Sequence, residues 1–199
     1  SLSLRMSSSD SVIFEEEFRK AGSKKLPTNN RAREFTDLIL TVANNLRTLN
    51  MPQDTALPTY FIIASQLRAM GENSIAEEFL KKAENIEGKE KFEKYFDAMR
   101  RSFKIESELQ KKTIKYLLAS LDDKEPEPRV IETTFLLGEL NRRIGNYDEA
   151  QKYYLRLFDY PSTPQLFFET VDYGLKYMNR EDSFPVDKAE KFEKQRIES

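Results

Sequence analysis

One spaced pattern of residues occurs twice in this chain of 199 residues, and it constrains the fold more than any other feature. The spacing between pattern positions is the same in both copies, and the two glycines lie 145 − 71 = 74 residues apart. The matched pairs, first copy before second, are Tyr60 and Thr134, Ile63 and Leu137, Ala64 and Gly138, Leu67 and Asn141, Gly71 and Gly145, Ala76 and Ala150, Leu80 and Tyr154, and Ala83 and Leu157. Repetition of this kind predicts an array of helix-turn-helix units.

The residue types in the pattern have physical reasons. Gly71 and Gly145 are able to adopt the left-handed conformation that ends a helix. The small residues Ala64 and Gly138 allow the second helix of each pair to pack closely on the first. An alanine follows each glycine where the two helices cross, and a bulky side chain there would push them apart. We therefore predict two helix-turn-helix units with turns at Gly71 and Gly145.

The second copy resembles a tetratricopeptide repeat (TPR), most clearly over residues 131–164. The family's small, turn and crossing positions are matched by Leu137–Leu140, by Arg143–Tyr147 and by Glu149–Ala150. This resemblance implies an all-α fold, a short right-handed superhelix of antiparallel helix pairs (a TPR-like α-solenoid). It also implies a scaffold that binds a protein or peptide. The separation of the two copies is about two TPR periods plus a few residues, so the middle segment is interpreted as a degenerate repeat.

The match to this family has departures. Tyr60 and Thr134 stand where the family usually has tryptophan, and Asn141 replaces its usual aromatic residue. Over roughly residues 31–179 the helix order and spacing also resemble the C-terminal helical half of a bacterial family of unknown function. That family carries an N-terminal Cys-rich region that binds zinc, which this sequence lacks. The resemblance implies a bacterial, cytoplasmic protein.

The sequence divides into three parts. Residues 1–29 are predicted to be a mobile arm that begins with a cloning remnant, residues 30–180 a TPR-like helical domain, and residues 181–199 a charged tail with little to bury. Apolar periodicity predicts helices over 31–49, 59–86 with an interruption at Gly71, 132–145, 146–158 and 162–178. Residues 89–121 form one helix or two, with a break near Ile105 slightly favoured, and 122–128 are predicted to form a loop. Asn73, Asn146 and Ser162 are candidate helix N-caps.

Composition excludes several classes of chemistry. The chain has neither cysteine nor histidine, so a Ser-His-Asp triad, a Cys-His pair and cysteine-ligated zinc are ruled out for this sequence. We expect no enzymatic activity, no cofactor and no metal. The formal net charge of −2 argues against a nucleic-acid partner, because nucleic-acid-binding domains usually carry a strongly basic surface. No apolar run approaches the length of a membrane span, so a membrane partner is not expected.

The TPR resemblance also implies a binding groove, lined by first-helix side chains that point away from the second helix. The predicted groove residues are Phe61, Ser65 and Arg68 in the first copy and Phe135, Glu139, Arg142 and Arg143 in the second. In that interpretation the phenylalanines anchor a peptide or partner helix and the arginines orient it. The alternative interpretation is that Phe61 and Phe135 pack against the middle helices while the arginines are solvated.

Two other function classes remain open at this stage. The first is a nucleic-acid accessory protein with one basic face, formed by Arg100, Arg101, Lys111, Lys112, Arg142 and Arg143. The second is an enzyme using carboxylate chemistry, for which the candidate clusters are Glu15–Glu17, Glu77–Glu78 and Asp122–Asp123. Solvated charges on helices and connectors explain these clusters more simply.

Overall fold

The computed structural model describes residues 38, 41–47, 49–122 and 124–198, and all regular secondary structure in these residues is helical. Residues 41–46 are helical. The helices that follow are α1 (Gln53–Ala69), α2 (Asn73–Glu84), α3 (Glu93–Ser120), α4 (Glu127–Arg143), α5 (Tyr147–Arg156), α6 (Gln165–Tyr177) and α7 (Val186–Glu198). Short 3-10 segments occur at Lys89–Phe92, Leu157–Asp159 and Glu181–Ser183. The predicted all-α class is confirmed, whereas the predicted N-terminal arm lies outside the described residues.

The described chain divides into two units. Unit 1 comprises the described residues up to Lys112 together with Arg143–Gly145. Unit 2 comprises the described residues of Thr113–Arg142 and Asn146–Ser199. No helix in the described ranges is both long enough and apolar enough to cross a bilayer.

The helix-turn-helix predicted at Gly71 is present as α1 and α2. Gly71 has a φ of 78°, and its N–H donates to the Arg68 carbonyl at 2.9 Å. The N–H of Glu72 donates to the Leu67 carbonyl, also at 2.9 Å. These two bonds form a Schellman motif, which satisfies carbonyls left without partners at the end of α1. The buried Ala64 and Ala76 have no accessible surface, as expected where two helices pack closely.

The predicted turn at Gly145 has the same closure between α4 and α5. Gly145 has a φ of 88°, and the Asn146 N–H donates to the Asn141 carbonyl at 2.8 Å. A third motif of this type ends α6, where Asn179 has a φ of 57° and the Arg180 N–H donates to the Leu175 carbonyl at 2.8 Å. Asparagine is the non-glycine residue that best tolerates this conformation, so Asn179 substitutes for the glycine of the other two turns.

The C-terminal segment packs into unit 2. Phe192 on α7 is buried and its ring stacks on Phe168 with centroids 5.9 Å apart. Arg196 donates a hydrogen bond to the Thr163 carbonyl at 2.6 Å and lies over the Phe168 ring. Phe184 adds an edge-to-face contact with Phe158. The tail therefore buries more than its charged composition indicates, because its sparse apolar residues contact aromatic side chains of the same unit.

Several predicted boundaries differ from the structure. The break near Ile105 is not present, because α3 continues through that position to Ser120. Helix α4 begins at Glu127, inside the predicted loop, since Pro128 in a first helical turn has no N–H that needs a partner. Of the three predicted caps, Asn146 occupies the N-cap position of α5 but makes no capping hydrogen bond through its side chain. Asn73 and Ser162 are not N-caps, because Glu72 and Pro164 hold those positions. Asn73 instead donates across to the Phe103 carbonyl on α3 at 2.8 Å.

Candidate functional site

Three of the predicted groove residues lie in the interior of unit 2. Phe135 is 2% exposed and stacks on Phe167 of α6, with ring centroids 4.3 Å apart. Glu139 and Arg142 are also buried, and the Arg142 guanidinium lies over the Tyr177 ring. The predicted accessible groove is thus absent at these three positions, because α6 covers that face of α4. Phe135 is buried, as the alternative interpretation expected, but against α6 rather than a middle helix.

Tyr154 of α5 forms hydrogen bonds with both buried charged residues of α4, Glu139 and Arg142. The Arg142 Nε donates to the Tyr154 hydroxyl at 2.9 Å, and Arg142 Nη2 donates to the Glu139 carboxylate at 3.0 Å. The Tyr154 hydroxyl in turn donates to Glu139. Burial, and then the adjacent Glu139 carboxylate, raises the pKa of the Tyr154 hydroxyl well above its usual range. All three groups have partners, as buried polar groups require, so this cluster stabilises the fold.

Two glycines make room for the Tyr154 ring. A Cβ added at Gly138 on α4 would lie 2.5 Å from the Cδ1 atom of Tyr154. A Cβ added at Gly174 on α6 would lie 2.8 Å from the Tyr154 hydroxyl. The interpretation of Gly138 as the small residue of its helix pair is confirmed, and the structure adds the side chain that requires it.

The remaining charged groove residues lie in unit 1 and contact other side chains there. Arg68 on α1 donates to the Ser102 hydroxyl on α3 at 3.1 Å. Arg143 Nε lies 3.6 Å from the Glu72 carboxylate, which is buried. Burial raises the pKa of the nearby Glu106 carboxyl, although the positive charges of Arg68 and Arg143 oppose that shift. Arg68 and Arg143 therefore already contact polar side chains within unit 1.

Phe61 is the predicted anchor that belongs to a partly exposed aromatic cluster. It is half-buried, and its ring contacts the buried Phe96 at 5.8 Å and Tyr95 at 6.2 Å between centroids. Tyr95 also contacts the half-buried Phe92 at 6.4 Å, and 62% of Tyr95 is exposed. The neighbouring Ile62 is 57% exposed. We call the rings of Phe61, Phe92 and Tyr95, together with the exposed Ile62 that follows Phe61 in the sequence, the aromatic surface of unit 1.

Phe92 and Tyr95 begin an apolar stripe at helical spacing, a pattern typical of buried residues, yet both side chains retain exposure. The stripe continues through Phe96, Met99 and Phe103, all of which are buried. At about 100° per residue, Tyr95 lies at one edge of this stripe, where a helix face meets solvent, whereas Phe92 belongs to the 3-10 segment before α3. The edge position of Tyr95 is the sign of exposure that the sequence contains.

An open depression of about 510 Å³ adjoins the aromatic surface. Leu57 and Pro58 of α1, Gly88 and Phe92 provide its apolar lining, and Asp54 and Glu87 provide its two charged groups. Phe92 belongs both to this depression and to the aromatic surface. The two features therefore form one continuous patch on unit 1.

Several residues of the alternative functions are paired or buried. Arg100 of the basic face is bonded to Glu84 at 2.7 Å and also to Asp97, and Arg142 is buried. Of the candidate carboxylates, Glu78 pairs with Arg47 at 2.8 Å. The clusters Glu15–Glu17 and Asp122–Asp123 lie wholly or partly outside the described residues. Within the residues that the structure describes, no group of three or more potential ligands is placed to hold a metal ion.

Comparison of the chain with family models, curated proteins and solved structures finds no match in any of the three.

Proposed function

We propose that this protein is a non-catalytic, cytoplasmic interaction scaffold of TPR-like helix pairs, and that its docking surface is the aromatic surface of unit 1. The observation that supports this most is that Tyr95 is 62% exposed while its ring contacts the half-buried Phe61 and Phe92. Contiguous exposed apolar side chains on a folded protein typically mark an interaction site.

The aromatic surface has the composition of an interface core. Aromatic residues contribute a disproportionate share of binding energy, because they bury a large area at a low cost in conformational entropy. Here the rings of Phe61, Tyr95 and Phe92 already contact one another, so a partner meets a largely preorganised surface.

The groove residues predicted in the first copy lie on α1, which also carries part of the aromatic surface. Phe61, Ser65 and Arg68 follow one another by four and three residues, so they share one face of α1. All three side chains retain partial exposure. An extended peptide or an amphipathic helix lying along this face would reach the aromatic surface at one end and Arg68 at the other.

Composition supports the non-catalytic part of the proposal. The full sequence lacks histidine and cysteine, the residues most used as general bases and nucleophiles. The most perturbed hydroxyl in the described residues, that of Tyr154, is buried and hydrogen-bonded.

A selection from a display library of random short peptides tests the proposal. The library is selected on the wild-type protein, and each enriched peptide is then titrated against the double variant Ile62→Ser with Tyr95→Ser. Both side chains are more than half exposed, so the variant should retain its fold. We expect the double variant to weaken binding by at least about tenfold, the effect of losing one hot-spot residue.

The matched control is Tyr173→Ser, which removes an exposed tyrosine from α6 of unit 2. It should leave the affinity of the enriched peptides unchanged. If selection enriches no peptide, or if the enriched peptides bind the double variant as well as the wild type, the proposed function is refuted.

A further inference from the structure

We infer that the partner of the aromatic surface presents a lysine or arginine next to a large apolar side chain, and that the cation is received by Asp54 and Glu87 at the adjoining depression. This inference rests on the proposed function and specifies the chemistry of the partner.

The apolar lining of the depression favours contact with an apolar side chain of the partner. Leu57 and Pro58 line it from α1, and Phe92 lines it from the 3-10 segment before α3. Leu57 is almost fully buried and gives a fixed floor, whereas Pro58 is exposed at the rim. Lysine and arginine also carry aliphatic stems that lie along apolar surfaces while the charged group remains in water.

The two charged groups of the depression are both negative, and neither is paired with a cation among the described residues. Asp54 and Glu87 are exposed, and neither forms an ion pair or side-chain hydrogen bond with any other described residue. Two other carboxylates of unit 1 have such partners, since Glu78 pairs with Arg47 and Glu84 pairs with Arg100. The lysines of the adjacent 3-10 segment do not line the depression.

The two carboxylates lie near opposite kinds of helix end, so the helix dipoles affect them differently. Asp54 lies in the first turn of α1, where the positive end of the helix dipole favours a negative charge. Glu87 lies beyond the C-terminal end of α2 at Glu84, and the negative end of that helix dipole does not stabilise a negative charge. A partner cation is therefore electrostatically favourable beside Glu87, and complementary charge of this kind mainly sets specificity and the association rate.

Three fluorescein-labelled synthetic peptides test this inference. One alternates arginine and leucine, the second replaces each arginine with glutamate, and the third replaces each leucine with serine. Fluorescence anisotropy with the full chain should rank the arginine–leucine peptide tightest. The double variant Asp54→Asn with Glu87→Gln should weaken its binding by about threefold or more, as expected for two solvent-exposed ion pairs.

The control neutralises two exposed carboxylates of unit 2 that likewise have no ion-pair partner among the described residues, Asp182→Asn with Glu193→Gln. Both double variants change net charge equally, so a non-specific attraction of cationic peptides would weaken equally in both. Equal weakening, or no preference for the arginine–leucine peptide, overturns the inference.

The library selection separates this result from the proposed function. Enriched peptides that require Tyr95 but contain no cation would refute the inference and leave the docking surface intact. Enriched peptides that combine a cation with an apolar residue, and that also weaken against Asp54→Asn with Glu87→Gln, would support both.

Discussion

Replacement of Tyr154 with phenylalanine tests whether the Tyr154 hydroxyl stabilises the interior of unit 2. The change keeps the ring that fits against Gly138 and Gly174 and removes only the hydroxyl. That hydroxyl accepts a hydrogen bond from Arg142 and donates one to Glu139, and all three residues are buried. The substitution therefore leaves two buried charged groups with fewer partners.

The magnitude follows from these two hydrogen bonds. A hydrogen bond to a charged group contributes about 1.5–3 kcal/mol, and the loss is larger when the remaining partner stays buried. The direct pair between Arg142 and Glu139 at 3.0 Å persists and compensates in part. We expect Tyr154→Phe to lower the free energy of unfolding by about 2–4 kcal/mol, a large fraction of the 5–15 kcal/mol typical of a domain.

Urea unfolding followed by circular dichroism measures this loss. Tyr153→Phe is the control on the same helix, since its hydroxyl forms no hydrogen bond within the described residues. It should change the free energy of unfolding by less than about 0.5 kcal/mol. A Tyr154→Phe loss no larger than that of Tyr153→Phe would refute the assignment of Tyr154 as the residue that holds the buried pair.

Alkaline pH gives an independent check on the same side chain. The pKa of Tyr154 is raised in the folded protein, so its stabilising contribution is complete below the usual tyrosine pKa of about 10. Above that pH only the unfolded chain ionises Tyr154, and wild-type stability falls. The stability difference between wild type and Tyr154→Phe should therefore narrow by about 1.4 kcal/mol per pH unit above pH 10. A constant difference would contradict the raised pKa.

Two further substitutions have defined outcomes. Gly138→Ala should destabilise by about 1–3 kcal/mol in urea unfolding, because its Cβ would lie 2.5 Å from the Tyr154 ring; a neutral effect would show that the ring moves freely. Glu106 has a raised pKa, so its favourable contribution is complete below its unfolded pKa and is lost as the pH rises through the folded value. Glu106→Gln should therefore gain stability relative to wild type between pH 4 and pH 7, and a difference that is independent of pH would contradict this.

The local fold was predictable because its causes are local. Gly71 and Gly145 ended helices as expected, since few other residues adopt a positive φ without strain. The closing turn at Asn179 was harder to predict, because asparagine occurs in many other settings. Helix α3 was ambiguous in the sequence, whereas in the structure it continues through the exposed Ile105, between the buried Phe103 and Leu109.

The candidate site was only partly predictable, because exposure depends on what covers each helix face. Phe61 and Phe135 occupy nearly equivalent places in the two copies, yet α6 covers Phe135 and leaves it 2% exposed. Phe61 instead contacts Tyr95 at the edge of α3 and remains half-buried. No repeat pattern encodes which copy is followed by a covering helix.

The most direct test of the docking surface is amide chemical-shift mapping by NMR with an enriched peptide bound to the labelled full chain. We expect the largest shifts at the amides around Phe61 on α1 and around Phe92 and Tyr95 at the start of α3, with small shifts on α6 and α7. Shifts that are largest on unit 2, or that are spread evenly over the chain, would contradict the assignment of the aromatic surface as the place where a partner binds.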